Sequence, residues 1–473
     1  MIGTIFRKEL KEFMRDRLFL GIVAILILLL AAASLDGWNR AQADADARAV
    51  AVASDREIWV EQGENNPHGA AHFARYAFRP APALAAFDPG VFDYAGAAFW
   101  MEAHTQNPTT LRRAEDAAIQ APFSSLSPAW IIQLVGSLSL AVLLFATIAG
   151  ERERGTLTGL TATGVPASKL ALGKSGAILA FVGGLTFLLI GLSIFPMVLS
   201  GAMGDNAGRL GLIVIAYALS LCAFAFTVFW LSARSRSMGT AFIAGAFAWL
   251  FLALVWPAMS GQIAVTLYPD HDEQQLKNDL QLKANTPFWS GDAREPAVAA
   301  LEVKVVEKYD GASFEALGFS RDALVLQAHE EFANGVYDEI YGELYGNHLR
   351  QDGVLRFASI LSPILATQRL SSALAGTDLL AQQNFARQAE QHRRSIIADL
   401  NEDMMVNGGK NGYAYTADRT LWEATKEFAP TRPDILSIMQ SYWVEWLSLI
   451  AWLFGALFLS IQATHRAMQQ EAR

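Results

Sequence analysis

Long apolar runs alternate with polar segments along this chain of 473 residues. Each run could cross a hydrocarbon core of roughly 30 Å as a helix, because a helix rises about 1.5 Å per residue. The runs contain almost no charged residues, and Trp38, Trp130 and Trp256 lie near run ends, where amphipathic rings favour the headgroup zone. The pattern predicts six transmembrane helices, at 18–35, 129–149, 441–462 and, within 173–260, at 173–200, 210–231 and 238–260.

Basic residues in short flanking segments predict the orientation, because Lys and Arg resist translocation whereas acids count for little. They cluster before the first run and between the second and third runs, and Arg234 and Arg236 follow the fourth. Both termini are therefore expected in the cytoplasm, with an interface helix at 1–17, a loop at 150–172 and a tail at 463–473. An AAA within 28–37 could instead be a signal-peptidase site, but the run is long for a signal peptide, so we expect a retained anchor.

This topology leaves two extracytoplasmic insertions, 36–128 and 261–440. The first is alanine-rich at 41–53 and then rich in prolines, which predicts a helical stalk leading into a compact, loop-rich unit. The second has apolar residues at three- and four-residue spacing and is predicted to be mainly helical. An apolar run around Pro363 is too short to cross, and we expect it at the membrane surface or packed under the helical domain. The predicted fold class is an all-α polytopic membrane protein.

Composition agrees with this class and excludes several kinds of site. Hydrophobic residues make up 52% of the chain and charged residues only 18%, which is typical of a membrane protein. The one cysteine, Cys222, allows neither an intrachain disulfide nor a cysteine-based metal cluster. The net charge of −9 disfavours nucleic acid as a partner.

A nucleotide site is not predicted in this chain. LGKS at 172–175 looks like the end of a phosphate-binding loop, but that loop needs a glycine where this chain has Ser168. The predicted spans also lack the mid-membrane carboxylates and histidines of ion-coupled carriers. We therefore expect no cofactor in this chain and an energy source outside the bilayer.

Two cytoplasmic segments are candidates for docking. In IFRKELKEFMRDRLF, at 5–19, apolar and charged residues fall on opposite sides of a helix, which predicts a membrane-surface helix. In GERERGTLTGLTATG, at 150–164, alternating charges are followed by glycines that permit sharp turns. The alternatives are a simple basic flank for the first segment and an ordinary polar loop for the second.

These segments resemble the membrane subunits of type-2 ABC exporters. KELKEFMRDR at 8–17 is similar to their interface helix, and ERERGTLTGLTATGVPASKLALGK at 151–174 is similar to the coupling helix that enters a groove on the ATPase. Segments 72–104 and 361–378 resemble the subgroup whose large periplasmic insertions carry a domain of unknown function.

The resemblance implies site residues, partners and a location. It assigns the interface to Lys8, Glu9, Arg15, Asp16 and Arg17, and ATPase coupling to Glu151, Arg152, Glu153, Arg154, Gly155 and Thr156, with Glu151 and Arg152 as lever and contact points. It also implies ATP and Mg²⁺ bound by a separate dimer of ATPase subunits, a second copy or a sister permease, and contact with membrane lipids. The implied location is the bacterial inner membrane, with periplasmic regions that could meet a further partner.

Three histidines are candidates for a metal site, although no metal is predicted. His68 and His72 have the i, i+4 spacing that can place two imidazoles on one helical face, and His104 lies in the same insertion. Pro67 and Gly69 make a regular helix uncertain there, and no carboxylate partner is evident from the sequence.

Three functions remain open at this point. The first is a permease subunit that exports or extracts an amphipathic or bulky substrate, since the spans lack the charged lining that a bare ion would need. The second is a mechanotransmission subunit that acts on a periplasmic partner without transport. The third is a membrane-anchored periplasmic enzyme, for which no nucleophile or carboxylate pair is evident. This chain itself is expected to be no enzyme.

Overall fold

The computed structural model describes residues 1–73, 75–112, 126–270 and 273–472. Helices dominate these ranges. We number the main ones α1 (Ile2–Arg15), α2 (Arg17–Val60), α3 (Pro67–His72), α4 (Pro128–Glu153), α5 (Thr156–Ala162), α6 (Ala167–Ser193), α7 (Ala207–Arg234), α8 (Met238–Leu267), α9 (Glu273–Trp289), α10 (Arg294–Lys308), α11 (Arg321–Ala358), α12 (Pro363–Ala375), α13 (Leu379–Gly408) and α14 (Trp443–Glu471). Shorter helices lie at Phe195–Leu199, Phe314–Leu317, Arg419–Ala424 and Ile435–Ser441.

Six of these helices are long and apolar enough to cross a membrane, which confirms the predicted number of spans. They are α2, α4, α6, α7, α8 and α14. Helix α7 is the most buried of the six and packs against α4, α6, α8 and α14. Phe224, Phe226 and Phe229 of α7 are fully buried there, whereas α2 and α8 leave most of their apolar surface uncovered. The bundle core is therefore built around α7.

Both chain ends lie at the same end of the bundle. Helix α1 packs along α6, with Ile5 so close to Gly173 that a Cβ on the glycine would lie 2.7 Å from it. Asp16 then starts α2 by accepting a hydrogen bond from the Leu18 amide at 2.8 Å. Near the other terminus, Glu471 accepts a hydrogen bond from Thr158 at 2.6 Å. The helical interface segment and the loop at 150–172 thus form one surface.

The insertion between α2 and α4 begins as a continuation of the first span. Helix α2 runs on to Val60 and so includes the predicted stalk. The chain then forms α3 and two short antiparallel strands, β1 (Arg75–Phe78) and β2 (Ala98–Met101), with Arg75 opposite Met101. The all-α prediction missed this pair of strands. Residues 113–125 of the insertion, including Pro122, lie outside the described residues.

The insertion between α8 and α14 is helical from α9 to α13, as predicted. The short apolar run becomes α12, which packs against α7 and α14, with Ser220 of α7 donating a hydrogen bond to the Pro363 carbonyl at 3.0 Å. Helix α12 is almost entirely buried, and its position relative to a membrane surface stays a prediction. His271, Asp272 and Glu273 form a polar cluster in the sequence, where a solvated turn is expected; the first two residues lie outside the described part of the chain.

Candidate functional site

A buried cluster of charges joins α1, α4 and α6. The Lys174 ammonium lies 2.8 Å from Glu9 and 2.9 Å from Glu151. The exposed fraction of these three residues is 5% or less. Lys8, which is half exposed, reaches Glu9 at 3.0 Å and Glu151 at 3.6 Å. The interface helix is therefore tied by ion pairs to both membrane helices that flank the loop at 150–172.

Lys174 and Lys8 favour the charged form of Glu9 in this cluster. Burial opposes ionisation of Glu9, but attraction and hydrogen bonds from Lys174 and Lys8 outweigh it and lower the pKa of Glu9. Burial likewise opposes the charge on Lys8, but Glu9 raises the pKa of Lys8 above its ordinary value. Because removal of one member of a buried pair leaves an uncompensated charge, each member depends on the others.

Arg152 and Glu153, which follow Glu151, contact the turn between α7 and α8. Arg152 donates hydrogen bonds to the carbonyls of Ala233, at 3.3 Å, and Ser235, and it lies 3.4 Å from Glu471. Glu153 accepts a hydrogen bond at 2.7 Å from the amide of Met238, the first residue of α8. Ser232 accepts hydrogen bonds from the amides of Ile148 and Ala149, both at 3.0 Å. This part of the chain thus contacts both the end of the fourth candidate span and the turn that starts the fifth.

Helix α5 carries the exposed part of this surface. Gly155 has a φ of 72°, a left-handed conformation that favours glycine, and it turns the chain sharply between α4 and α5. Thr156 donates a side-chain hydrogen bond to the Glu151 carbonyl at 3.0 Å, and Leu157 is fully buried. Thr158, Gly159 and Ala162 face outward. Helix α5 is anchored on one side and open on the other.

The structure separates the predicted site residues into different roles. Glu9 and Glu151 meet inside the chain, so Glu151 is not available as an outer contact point. Arg154, Arg15 and Arg17 are exposed, and Asp16 caps α2. Sequence reasoning missed Lys174, although a lysine inside an almost uncharged apolar run was a usable signal.

Arginines converge on a cavity at the opposite end of the spans. It has a volume of about 260 Å³, and among the described residues that line it four are arginines, Arg79, Arg209, Arg387 and Arg432, and one is an acid, Asp378. Arg79 is 5% exposed, and burial lowers its pKa to about 10 despite attraction from Asp378. Asp378 accepts a hydrogen bond from the Tyr442 hydroxyl at 2.5 Å. These residues are far apart in sequence, so no local pattern predicted the cavity.

The candidate histidines do come together. Asn66 caps α3, so Pro67 starts the helix rather than breaking it, and His68 and His72 share one face with their Nε2 atoms 3.1 Å apart. The Nδ1 atom of His104 lies 2.8 Å from Glu330. Burial alone would raise the pKa of Glu330, but hydrogen bonding from His104 and the charge of Arg393 lower it to about 2. This carboxylate partner comes from α11 and could not be recognised from the sequence.

Comparison with known proteins gives one partial match. Residues 274–431, about a third of the chain, match the family described as Domain of unknown function (DUF3526). The matched segment covers most of α9 and all of α10 to α13. No curated protein and no solved structure matches the chain. The matched residues lie within the predicted second insertion, and the description of the family names no activity.

Proposed function

We propose that this chain is the permease subunit of an ATP-driven transporter of the type-2 ABC exporter kind. Six candidate membrane helices and the resemblance of 8–17 and 151–174 to interface and coupling helices support this proposal. ATP and Mg²⁺ would be bound by a separate pair of ATPase subunits. A second copy of this chain, or a sister permease, would complete the transporter in a bacterial inner membrane, with both insertions in the periplasm.

The observation that carries the proposal is the buried cluster of Glu9, Glu151 and Lys174 behind the exposed face of α5. A force applied to α5 would reach α4 through the Gly155 turn, and α1 and α6 through the ion pairs. Glu153 and Arg152 would carry the same displacement to the start of α8. We call this set of contacts, made by Glu9, Glu151, Arg152, Glu153 and Lys174, the clamp. The clamp can convert closure of an ATPase dimer into rigid-body movement of several spans.

The cavity lined by Arg79 and Arg209 supports an amphipathic cargo with an anionic group. Helix α6, which starts beside the clamp and runs towards this cavity, has 27 residues and is about 40 Å long. The cavity also has apolar lining, including Leu380, Phe385 and Ile438, beside its four arginines. A carboxylate or phosphate group would pair with the guanidinium groups, while an apolar tail would pack on these side chains or the neighbouring spans.

A substitution on the open face of α5 tests the coupling. A Cβ on Gly159 would meet nothing within 4 Å, so Gly159→Arg should leave the chain folded. It should nevertheless lower stimulation of the partner ATPase at least tenfold by blocking docking. The matched control is Gly335→Arg, an exposed and equally open position on α11. Equal ATPase stimulation by both variants and the unchanged chain would refute the proposed docking surface.

The packing of α12 favours mechanotransmission as the second candidate. Helix α12 belongs to the matched region and packs directly against spans α7 and α14, so span movement would pass into that region. Uptake of an anionic amphiphile into vesicles, with a cationic amphiphile of equal length as control, separates the two functions. ATP-dependent uptake of the anion alone supports transport, whereas ATP hydrolysis without uptake supports mechanotransmission.

A further inference from the structure

We propose that His68, His72 and His104 bind one divalent transition-metal cation of the Zn²⁺ class, in the insertion between α2 and α4. This inference does not depend on the proposed transport function. It rests on the geometry of the three imidazoles, on the residues that orient them, and on their access to solvent.

The spacing of the imidazole nitrogens fits a single ion. One ligand atom from each of the three residues can be chosen so that all three lie within 4.8 Å of one another. The Nε2 atoms of His68 and His72 are 3.1 Å apart. Two histidine nitrogens that bind one tetrahedral Zn²⁺, each at about 2.0–2.1 Å, are separated by roughly 3.3–3.4 Å. Only a small adjustment would therefore place both on one cation.

A carboxylate orients the third histidine. His104 Nδ1 lies 2.8 Å from Glu330, and the His104 amide donates to the same carboxylate oxygen at 2.7 Å. This contact uses Nδ1 and leaves Nε2 as the nitrogen for a metal. Glu330 in turn lies 3.3 Å from Arg393, which pairs with Glu390 at 2.7 Å. A carboxylate behind a ligating histidine is a common feature of zinc sites, where it fixes the ring and increases its basicity.

The backbone at His104 is also held in an unusual conformation. Its φ of 63° is left-handed, which is uncommon for a residue other than glycine and costs free energy. The conformation is held by Glu330 and by a hydrogen bond from the Tyr337 hydroxyl to the His104 carbonyl. His329 approaches the Nδ1 side of His104 at 3.1 Å, so it lies behind the ring rather than beside Nε2. Several residues of α11 thus hold one imidazole towards the other two.

Solvent access and ligand number define what the site would bind. His72 is exposed and His68 and His104 are half-buried, so a cation can enter from solvent. Imidazole nitrogens suit Zn²⁺, Cu²⁺ and Ni²⁺ and suit Mg²⁺ and Ca²⁺ poorly. Three protein ligands on a tetrahedral ion leave one position for water or for a soluble ligand.

Metal binding by the full-length chain tests the inference. The protein would be purified in detergent with a tag that contains no histidine, stripped with chelator and dialysed against Zn²⁺, with bound metal measured by mass spectrometry. We expect one Zn²⁺ per chain, and a Co²⁺ form with the visible absorption of a tetrahedral nitrogen site. Glu330→Gln should weaken binding by about 10- to 100-fold without removing a ligand.

Histidine variants supply the contrast. His72→Ala, at an exposed position, and His68→Gln should each weaken Zn²⁺ binding at least tenfold, with thermal unfolding of the metal-free proteins used to check folding. His348→Ala is the matched control, because His348 is a partly exposed histidine that lies 3.4 Å from Asp270 instead of near this cluster. Absence of Zn²⁺ from the unchanged protein, or equal binding by His72→Ala and His348→Ala, would overturn the proposal.

Discussion

Lys174 shows how much one side chain contributes to the proposed clamp. It forms ion pairs with two carboxylates from different helices, Glu9 and Glu151, in a place from which water is almost excluded. Such groups are costly to bury and are tolerated only as a set. The effect of a substitution here therefore depends on which charges remain.

We expect Lys174→Met to lower the free energy of unfolding by about 3–5 kcal/mol, because it leaves two buried carboxylates without their main partner. Combining it with Glu9→Gln and Glu151→Gln should restore most of that loss. Chemical unfolding in detergent measures both effects, with the exposed Lys169→Met as control. If the single and triple variants lost the same stability, the ion pairs would not be the cause.

A second residue, Asp88, should make the stability of the folded chain depend on pH. It is 7% exposed, and burial raises its pKa from 3.8 to about 6, although its Oδ1 accepts a hydrogen bond from the Gly90 amide at 3.1 Å. A carboxyl with a higher pKa in the folded state binds more protons when folded between these two values. Its contribution to stability is therefore fully present below pH 3.8 and falls by about 3 kcal/mol in total as the pH rises through 6.

Replacement of Asp88 should remove this dependence. We expect Asp88→Asn to be more stable than the unchanged protein above pH 6, with the difference between them shrinking towards pH 4. Thermal unfolding at a series of pH values measures it, and the exposed Asp338→Asn serves as control. A stability difference that stays constant with pH would contradict the assignment.

At the scale of elements, the position of α5 depends on the turn at Gly155. Its left-handed φ of 72° would cost an alanine roughly 1–2 kcal/mol, although nothing obstructs the side chain itself. We expect Gly155→Ala to shift α5 and lower ATPase stimulation several-fold, while Gly159→Ala, in ordinary helical backbone, leaves it unchanged. ATPase assays of the chain assembled with the proposed ATPase subunits compare the two. Equal activity of both variants would mean that α5 tolerates displacement.

The helices could be predicted from the apolar runs and the helical spacing of the sequence. Features that depend on contacts between residues far apart in the chain could not. The six spans, the stalk within α2 and the helical second insertion follow from apolar runs and helical spacing. Strands β1 and β2 have four residues each, and their pairing joins positions 20 to 26 residues apart, so no alternation long enough to recognise was present. The contact between Glu330 and His104 could not be predicted for the same reason, because the two residues lie in separate insertions.

At the scale of the whole molecule, a buried ion pair joins the matched region to the last candidate span. Arg369 of α12 lies 2.7 Å from Asp352 of α11 and 2.7 Å from Glu445 of α14. All three are buried or nearly so, and Glu445 is 0% exposed. A boundary drawn at the edges of 274–431 would therefore cut through a shared core.

We expect the fragment 274–431, made alone, to aggregate or to remain partly unfolded, because α12 would expose the apolar surface that α7 and α14 cover. Gel filtration and amide hydrogen exchange on the fragment would measure this, with the full-length chain as control. A soluble fragment whose α12 amides are as protected as in the full-length chain would show that the region folds independently.

The shared core around α12 also constrains how this protein can change over evolutionary time. A domain attached through an exposed linker can be exchanged between genes without regard to its neighbours. Here an inherited change at Arg369 must be matched in both Asp352 and Glu445, one of which lies outside the matched segment. We therefore expect the matched region and the last span to have descended together as one lineage, rather than to have been combined repeatedly from separate sources.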